Sequence, residues 1–210
     1  SVDNPDLDQT WQISSNYGYN SAGSIVVENS IYSANGQYDD LISPTLNFTA
    51  ANTASLKFDY AYSLWTNPNS SQIWSDTLII LVSSDCGISW QKVWERAGTN
   101  LVTTSPVYNE EEWFPSSNND WESATINLDN YTNLDGVIIK FRNVNQYENN
   151  LFIDKITALL GDRFSTAESV RANYSKGEDI FDSILPSGVA FPNTTEEVSE
   201  ILKICNNYKV

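Results

Sequence analysis

The sequence predicts a mainly β protein: an antiparallel β-sandwich over residues 1–160, followed by a short α/β segment with two helices over residues 161–210. Three observations carry this. Short β-rich runs alternate with Asn, Ser, Gly and Pro clusters through the first 160 residues, with no helical period between them. After residue 160 the apolar spacing changes to three and four. All seven Trp fall before residue 122, in a chain whose aromatic share of 12% is too high for a disordered one.

The expected strands are 24–27, 41–48, 55–62, 77–83, 90–94, 123–128, 136–144 and 151–159. In Leu56-Lys57-Phe58-Asp59-Tyr60-Ala61-Tyr62 the even positions form one apolar face, as a half-buried strand requires. Lys140 and Arg142 fall on the face opposite Phe141. Clusters such as Asn67-Pro68-Asn69-Ser70-Ser71 supply turns. In the second segment, 164–174 reads as a helix capped by Ser165 or Thr166, with Glu168 in its first turn. Val189-Ala190-Phe191 reads as a short strand. Asn193-Thr194-Thr195-Glu196 opens a second helix, with Val198, Ile201, Leu202, Cys205 and Tyr208 on one face.

Composition excludes several functions. The 210 residues include 27 acidic and 11 basic side chains and no His. Without His there is no Ser-His-Asp triad and no His-ligated zinc. A net charge of −16 supplies no basic stripe for a phosphate backbone, so nucleic acid is not an expected partner. No apolar run reaches the ~18 residues of a membrane span. The acidity sits mainly in the first part, with 19 acidic and 6 basic residues up to position 160. The chain opens at Ser1 without Met or a signal peptide, which reads as a processed or internal fragment.

The order and spacing of five runs resemble the jelly-roll modules of secreted Bacteroidetes proteins. The runs are Asp40-Leu41-Ile42-Ser43-Pro44, Phe58-Asp59-Tyr60-Ala61-Tyr62, Asp76-Thr77-Leu78 leading into Val82–Trp90, Phe141–Asn145, and Asn149–Ile156. Ser84-Asp85-Cys86-Gly87-Ile88-Ser89-Trp90 is the most specific of them. Such modules occur in multidomain adhesins and beside pappalysin-type metallopeptidase domains. The resemblance implies a noncatalytic jelly roll of cleaved-adhesin, MAM-like or carbohydrate-binding type, at the cell surface or outside the cell. Its expected partner is a glycan or a surface protein.

Residues 161–210 are similar to the entrance of FAD-linked oxidases of the D-lactate dehydrogenase and glycolate oxidase type, a vanillyl-alcohol-oxidase-type FAD domain. The carriers are Phe164-Ser165-Thr166, Leu185–Pro192 and Thr195–Asn206. Those enzymes are cytosolic or membrane-peripheral. Their pyrophosphate loop would follow Val210, so FAD is implied only together with further sequence. The alternative function is therefore a fragment of a flavin-dependent 2-hydroxy-acid dehydrogenase joined to an unrelated β-domain.

The resemblance also implies a structural Ca²⁺, which takes about six to eight oxygen ligands. The candidates are Asp154 on the last strand, with Asp8, Glu28, Asp39 and Asp40 as partners; no Asp-x-Asp-x-Asp-Gly loop is present. For a sugar, Trp65, Trp74 and Trp113, with Phe114, sit in polar loop-like sequence, where an exposed ring can stack on a pyranose. Trp11, Trp90 and Trp94 are expected in the core. Glu110-Glu111-Glu112 reads as a solvated loop, since adjacent carboxylates cannot face each other across a glycosidic bond. Cys86 lies in a turn and Cys205 on a helix of the other segment, so no disulfide is expected. The Asn-x-Ser/Thr sites at Asn47, Asn69, Asn130, Asn173 and Asn193 are no more than composition produces.

Overall fold

A computed structural model describes residues 1–157 apart from Ala22 and Ile73, and beyond them Phe164, Ser165, Ala172, Pro186, Val189–Pro192, Val198, Ile201 and Leu202. The chain divides into two compact units, Ser1–Ile156 and Thr157–Val210.

The first unit is built of ten antiparallel strands: β1 (Val2–Asp3), β2 (Gln12–Ser14), β3 (Ser24–Val27), β4 (Tyr38–Ile42), β5 (Ser55–Ala61), β6 (Thr77–Ser83), β7 (Gln91–Ala97), β8 (Glu122–Asn127), β9 (Ile138–Val144) and β10 (Leu151–Thr157). They form two five-stranded sheets, ordered β1-β4-β9-β6-β7 and β2-β3-β10-β5-β8. Only β2–β3 and β6–β7 are neighbours in both sequence and space. The remaining connections switch sheet or skip strands, which makes the sandwich a jelly-roll arrangement. The expected strands 24–27 and 77–83 are found as read. The run 41–48 is shorter: β4 ends at Ile42, and Leu46 keeps only an isolated bridge to Val137. β1 and β2 were not read from the sequence, because two or three residues are too few to show alternation.

Alternation places Leu56, Phe58 and Tyr60 of β5 between the sheets, where they are almost fully buried. Phe58 meets Phe141 of the facing sheet edge-on at 5.1 Å, a favoured aromatic geometry. Trp94 packs edge-on against Phe58 at 5.5 Å and Tyr60 at 5.9 Å. The outward residues of the second sheet are covered too. Val26, Ala61, Trp121 and Phe152 form a second cluster, overlaid by Tyr17, Tyr19, Trp113 and Phe114. This explains why β5 reads as half-buried in sequence yet buries Asp59 and Ala61 as well.

The Ser84–Trp90 run is the β6–β7 hairpin loop. Ser83 Oγ accepts from Gly87 N–H at 2.8 Å, and Asp85 accepts from Ser89 N–H and O–H at 2.8 and 2.5 Å. Those bonds, from the Ser89 hydroxyl first, hold the Asp85 carboxyl down to about 2. Gly87 sits at φ 89°, which its lack of a Cβ permits. Cys86 is an exposed free thiol there.

In the second unit, Phe164–Ser165 (β11) pairs antiparallel with Val189–Ala190 (β12). Phe164 and Ser165 are therefore extended, where the sequence predicted a helix start; pairing with the Pro-flanked strand prevails over local propensity. Ala172, Val198, Ile201 and Leu202 have helical backbone. Cys205, Tyr208 and most residues that carry the oxidase resemblance lie outside the described residues. Among the described residues no helix is long and apolar enough to cross a membrane.

Candidate functional site

One cleft of the first unit is shaped by the β9–β10 loop, which is organised by buried polar side chains. Asn145, Glu148, Asn149 and Asn150 are all fully buried. Asn145 donates to Tyr32 O at 3.0 Å and accepts from Tyr147 N–H at 2.8 Å. Glu148 accepts from the Trp65 and Thr66 N–H groups and the Thr66 hydroxyl. Asn149 accepts from Trp113 N–H at 2.9 Å and donates to Asn109 O at 3.1 Å. Asn150 accepts from Ser30 N–H and donates to Glu112. One short loop thus ties down three others, the β3–β4, β5–β6 and β7–β8 connections, by satisfying their backbone groups. Glu112, expected in a solvated loop, also accepts from the Ser30 hydroxyl at 2.8 Å.

Asp76, just before β6, is the second anchor. Its carboxylate is fully buried and accepts from Gln146 N–H at 2.6 Å, Asn29 Nδ2 at 2.9 Å and Tyr62 O–H at 3.4 Å. Asn29 and Asn143 exchange amide bonds beside it. Burial pushes the Asp76 carboxyl up to about 8; the Gln146 and Asn29 donors oppose this, and buried Glu148 adds to it. Burial raises Glu148 as well.

These anchors display two aromatics. Tyr147, held at φ 62°, is 57% exposed, and Trp74 is 42% exposed. With Ser33, Asn35 and Gln146 they line an open cleft of about 250 Å³. An exposed apolar ring framed by amides and a hydroxyl can stack on a sugar face and bond its hydroxyls.

The three predicted tryptophans are not brought together in this cleft. Trp74 alone lines it. Trp113 is half-buried, edge-on to Phe152 at 6.2 Å. Trp65 is half-buried and its N–H is held by Glu148. Phe114 is stacked on Tyr17 at 4.9 Å. Trp11 is core, as expected, while Trp90 and Trp94 are only half-buried. Tyr147 was missed; the buried polar residues flanking it in Asn145-Gln146-Tyr147-Glu148-Asn149-Asn150 are the only sequence signal, and they read as a surface turn.

The carboxylates expected at a calcium go to different partners. Asp40, fully buried, takes Lys140 at 2.8 Å and Arg142 at 2.7 Å. Asp154 accepts from Tyr19 N–H at 2.7 Å and Ser21 O–H at 2.5 Å. Asp8 accepts from Ser33 N–H and O–H. Asp39 shares the Tyr32 hydroxyl with Asp6, each at 2.7 Å, and burial raises its carboxyl to about 6. Glu28 lines a different cleft, described below. Among the described residues no group of three or more acidic or Cys side chains is gathered as a metal site. A single calcium shared by these residues does not fit this arrangement.

The first unit defines the chain as an antiparallel β-sandwich with jelly-roll connections. Solved structures of that fold resemble it. The K2 cleaved adhesin domain of Lys-gingipain matches with a TM-score of 0.51 and 16% identity, over 77% of this chain and 88% of that one. The K1 cleaved adhesin domain of Lys-gingipain from Porphyromonas gingivalis W83 matches with a TM-score of 0.50 and 18% identity, over 75% and 89%. A carbohydrate-binding module from Caldicellulosiruptor saccharolyticus, solved with mannohexaose, superposes more loosely: TM-score 0.47, 11% identity, 74% and 88% covered. No protein-family model and no curated protein matches the sequence.

Proposed function

We propose that the chain is a noncatalytic binding module acting outside the cell, and that its ligand is a glycan taken by the Trp74–Tyr147 cleft. The observation that carries this is the pair of solvent-facing rings lining one cleft with Ser33, Asn35 and Gln146. Adjacent exposed apolar side chains rimmed by polar residues are a common mark of a recognition surface. The anchored loop beneath them means that little ordering remains to be done on binding, which favours affinity at small contact area. The fold shared with the cleaved adhesin domains is compatible with an adhesive role.

A glycan array tests this reading. The wild-type protein is expected to retain a defined group of glycans, and Trp74→Ala and Tyr147→Ala each to weaken that retention by about 10–30-fold, the range of a central aromatic contact. Trp65→Phe is expected to leave it unchanged. Retention that survives both alanine substitutions would place the ligand elsewhere.

A further inference from the structure

A second cleft, of about 360 Å³, opens on the covered face of the second sheet and shares no lining residue with the first. Val26 and Phe152 line it, with Phe114 and Tyr17 stacked on each other at 4.9 Å. Glu28, at the end of β3, contributes a half-buried carboxylate. Among the described residues no cation and no hydrogen-bond donor reaches that carboxylate. Its neighbours in the lining divide between polar side chains on one wall, Gln12, Ser14, Ser15 and Asn16, and the rings of Tyr17 and Phe114 on the other. A half-buried anion beside aromatic rings is complementary to an organic cation: the carboxylate supplies the counter-charge, and ring faces and edges accept the alkyl stem and the positive head.

The other wall of the cleft is β2, the terminal strand of its sheet. Among the described residues Gln12, Ile13 and Ser14 pair on one side only, with β3, and Ile13 is 69% exposed. An open strand edge is a template for an added strand. An extended peptide pairing with β2 would run past the cleft mouth and could lower a side chain into it. A net charge of −16 draws basic segments toward the surface.

We propose that this cleft binds a lysine side chain of an extended partner peptide, with the stem along the half-buried rings of Phe114 and Tyr17 and the ammonium on Glu28, while the peptide backbone extends the sheet at β2. The inference is independent of the glycan reading, since it uses other residues and another ligand class.

Fluorescence anisotropy with the full chain tests it. The probe is a labelled, end-blocked five-residue peptide with a central lysine between valine and threonine residues. Wild-type protein is expected to bind it, and lysine acetylation to weaken binding at least about tenfold. Glu28→Gln, which keeps shape and removes charge, is expected to weaken binding equally, a loss of about 1.4 kcal/mol or more. Glu110→Gln makes the same change of net charge on an exposed loop and is expected to have no effect; equal losses for the two variants would mean non-specific attraction and overturn the proposal. Binding unchanged by acetylation or by Glu28→Gln would overturn it too. Displacement of the peptide by glucosamine at matched concentration would assign the cleft to an amino sugar instead. Unaltered binding by Trp74→Ala separates this result from the glycan site.

Discussion

Asp40→Ala is expected to cost the sandwich about 3–5 kcal/mol, the range for stripping one partner from a buried ion pair. Asp40 lies on β4 opposite Arg142 of β9, with Lys140 two residues away on the same face. Its carboxylate is fully buried and receives Lys140 Nζ at 2.8 Å and Arg142 Nε and Nη2 at 2.7 and 2.8 Å. Lys140 is itself only 7% exposed, with its ammonium 3.9 Å from the centre of the Trp90 ring. The Arg142 guanidinium lies over Tyr38 at 3.7 Å. Alanine at position 40 leaves the Lys140 charge buried beside a ring with no carboxylate. Urea unfolding of Asp40→Ala measures the loss. The double variant Asp40→Ala, Lys140→Met is expected to recover most of it, because the uncompensated charge is then gone. A single variant losing under about 1 kcal/mol would show that water or another group solvates Lys140.

Asp76 is expected to make the protein more stable in mild acid than at slightly alkaline pH. Its carboxyl titrates near 8 in the fold against 3.8 in the free state. Between those values the folded chain holds a proton that the unfolded chain releases, so stability falls as pH rises. The contribution is fully present below about pH 4 and lost as the pH passes through 8, with an upper bound of about 6 kcal/mol. Asp39, raised to about 6, and Glu148, also raised, act in the same direction over their own ranges. Thermal melts at pH 5 and pH 8.5 report the difference. Asp76→Asn keeps an acceptor for Gln146 N–H, and the reciprocal Asn29–Asn143 amides can turn together to meet the new amide. It is expected to flatten the profile while staying folded. Asp76→Ala, which orphans the Gln146 and Asn29 donors, is expected to lose a further ~2–3 kcal/mol at pH 5. A wild-type melt equally high at both pH values would contradict a neutral Asp76.

The sandwich was largely legible in the sequence because its interior strands are long enough for period two to show, as in Leu56–Tyr62 and in β6. The edges were not: β1 and β2 are too short to show a period. The second buried cluster was hidden because its lid, Trp113 and Phe114, lies in a run that reads as polar loop and only folds back onto Phe152 in three dimensions. Asp40 and Asp76 illustrate a further limit. Their partners, Lys140, Arg142 and Gln146, lie 70 or more residues away, and nothing local separates an acid in a buried pair from one on the surface. The exposure of Trp74 was legible from its polar surroundings. Tyr147 was not, because its display depends on buried Asn145 and Asp76.

The central claim is that Trp74 and Tyr147 form the ligand surface. Trp74 is the one exposed tryptophan of the seven, all of which lie among the described residues. Nuclear magnetic resonance of the indole N–H groups therefore reads the claim directly, with the Trp74 signal assigned by its disappearance in Trp74→Phe. Titration with a glycan retained on the array is expected to shift the Trp74 indole signal in a saturable way and to leave those of Trp11 and Trp121, buried in the unit, in place. A saturable shift confined to other indoles, with Trp74 unmoved, would contradict the account.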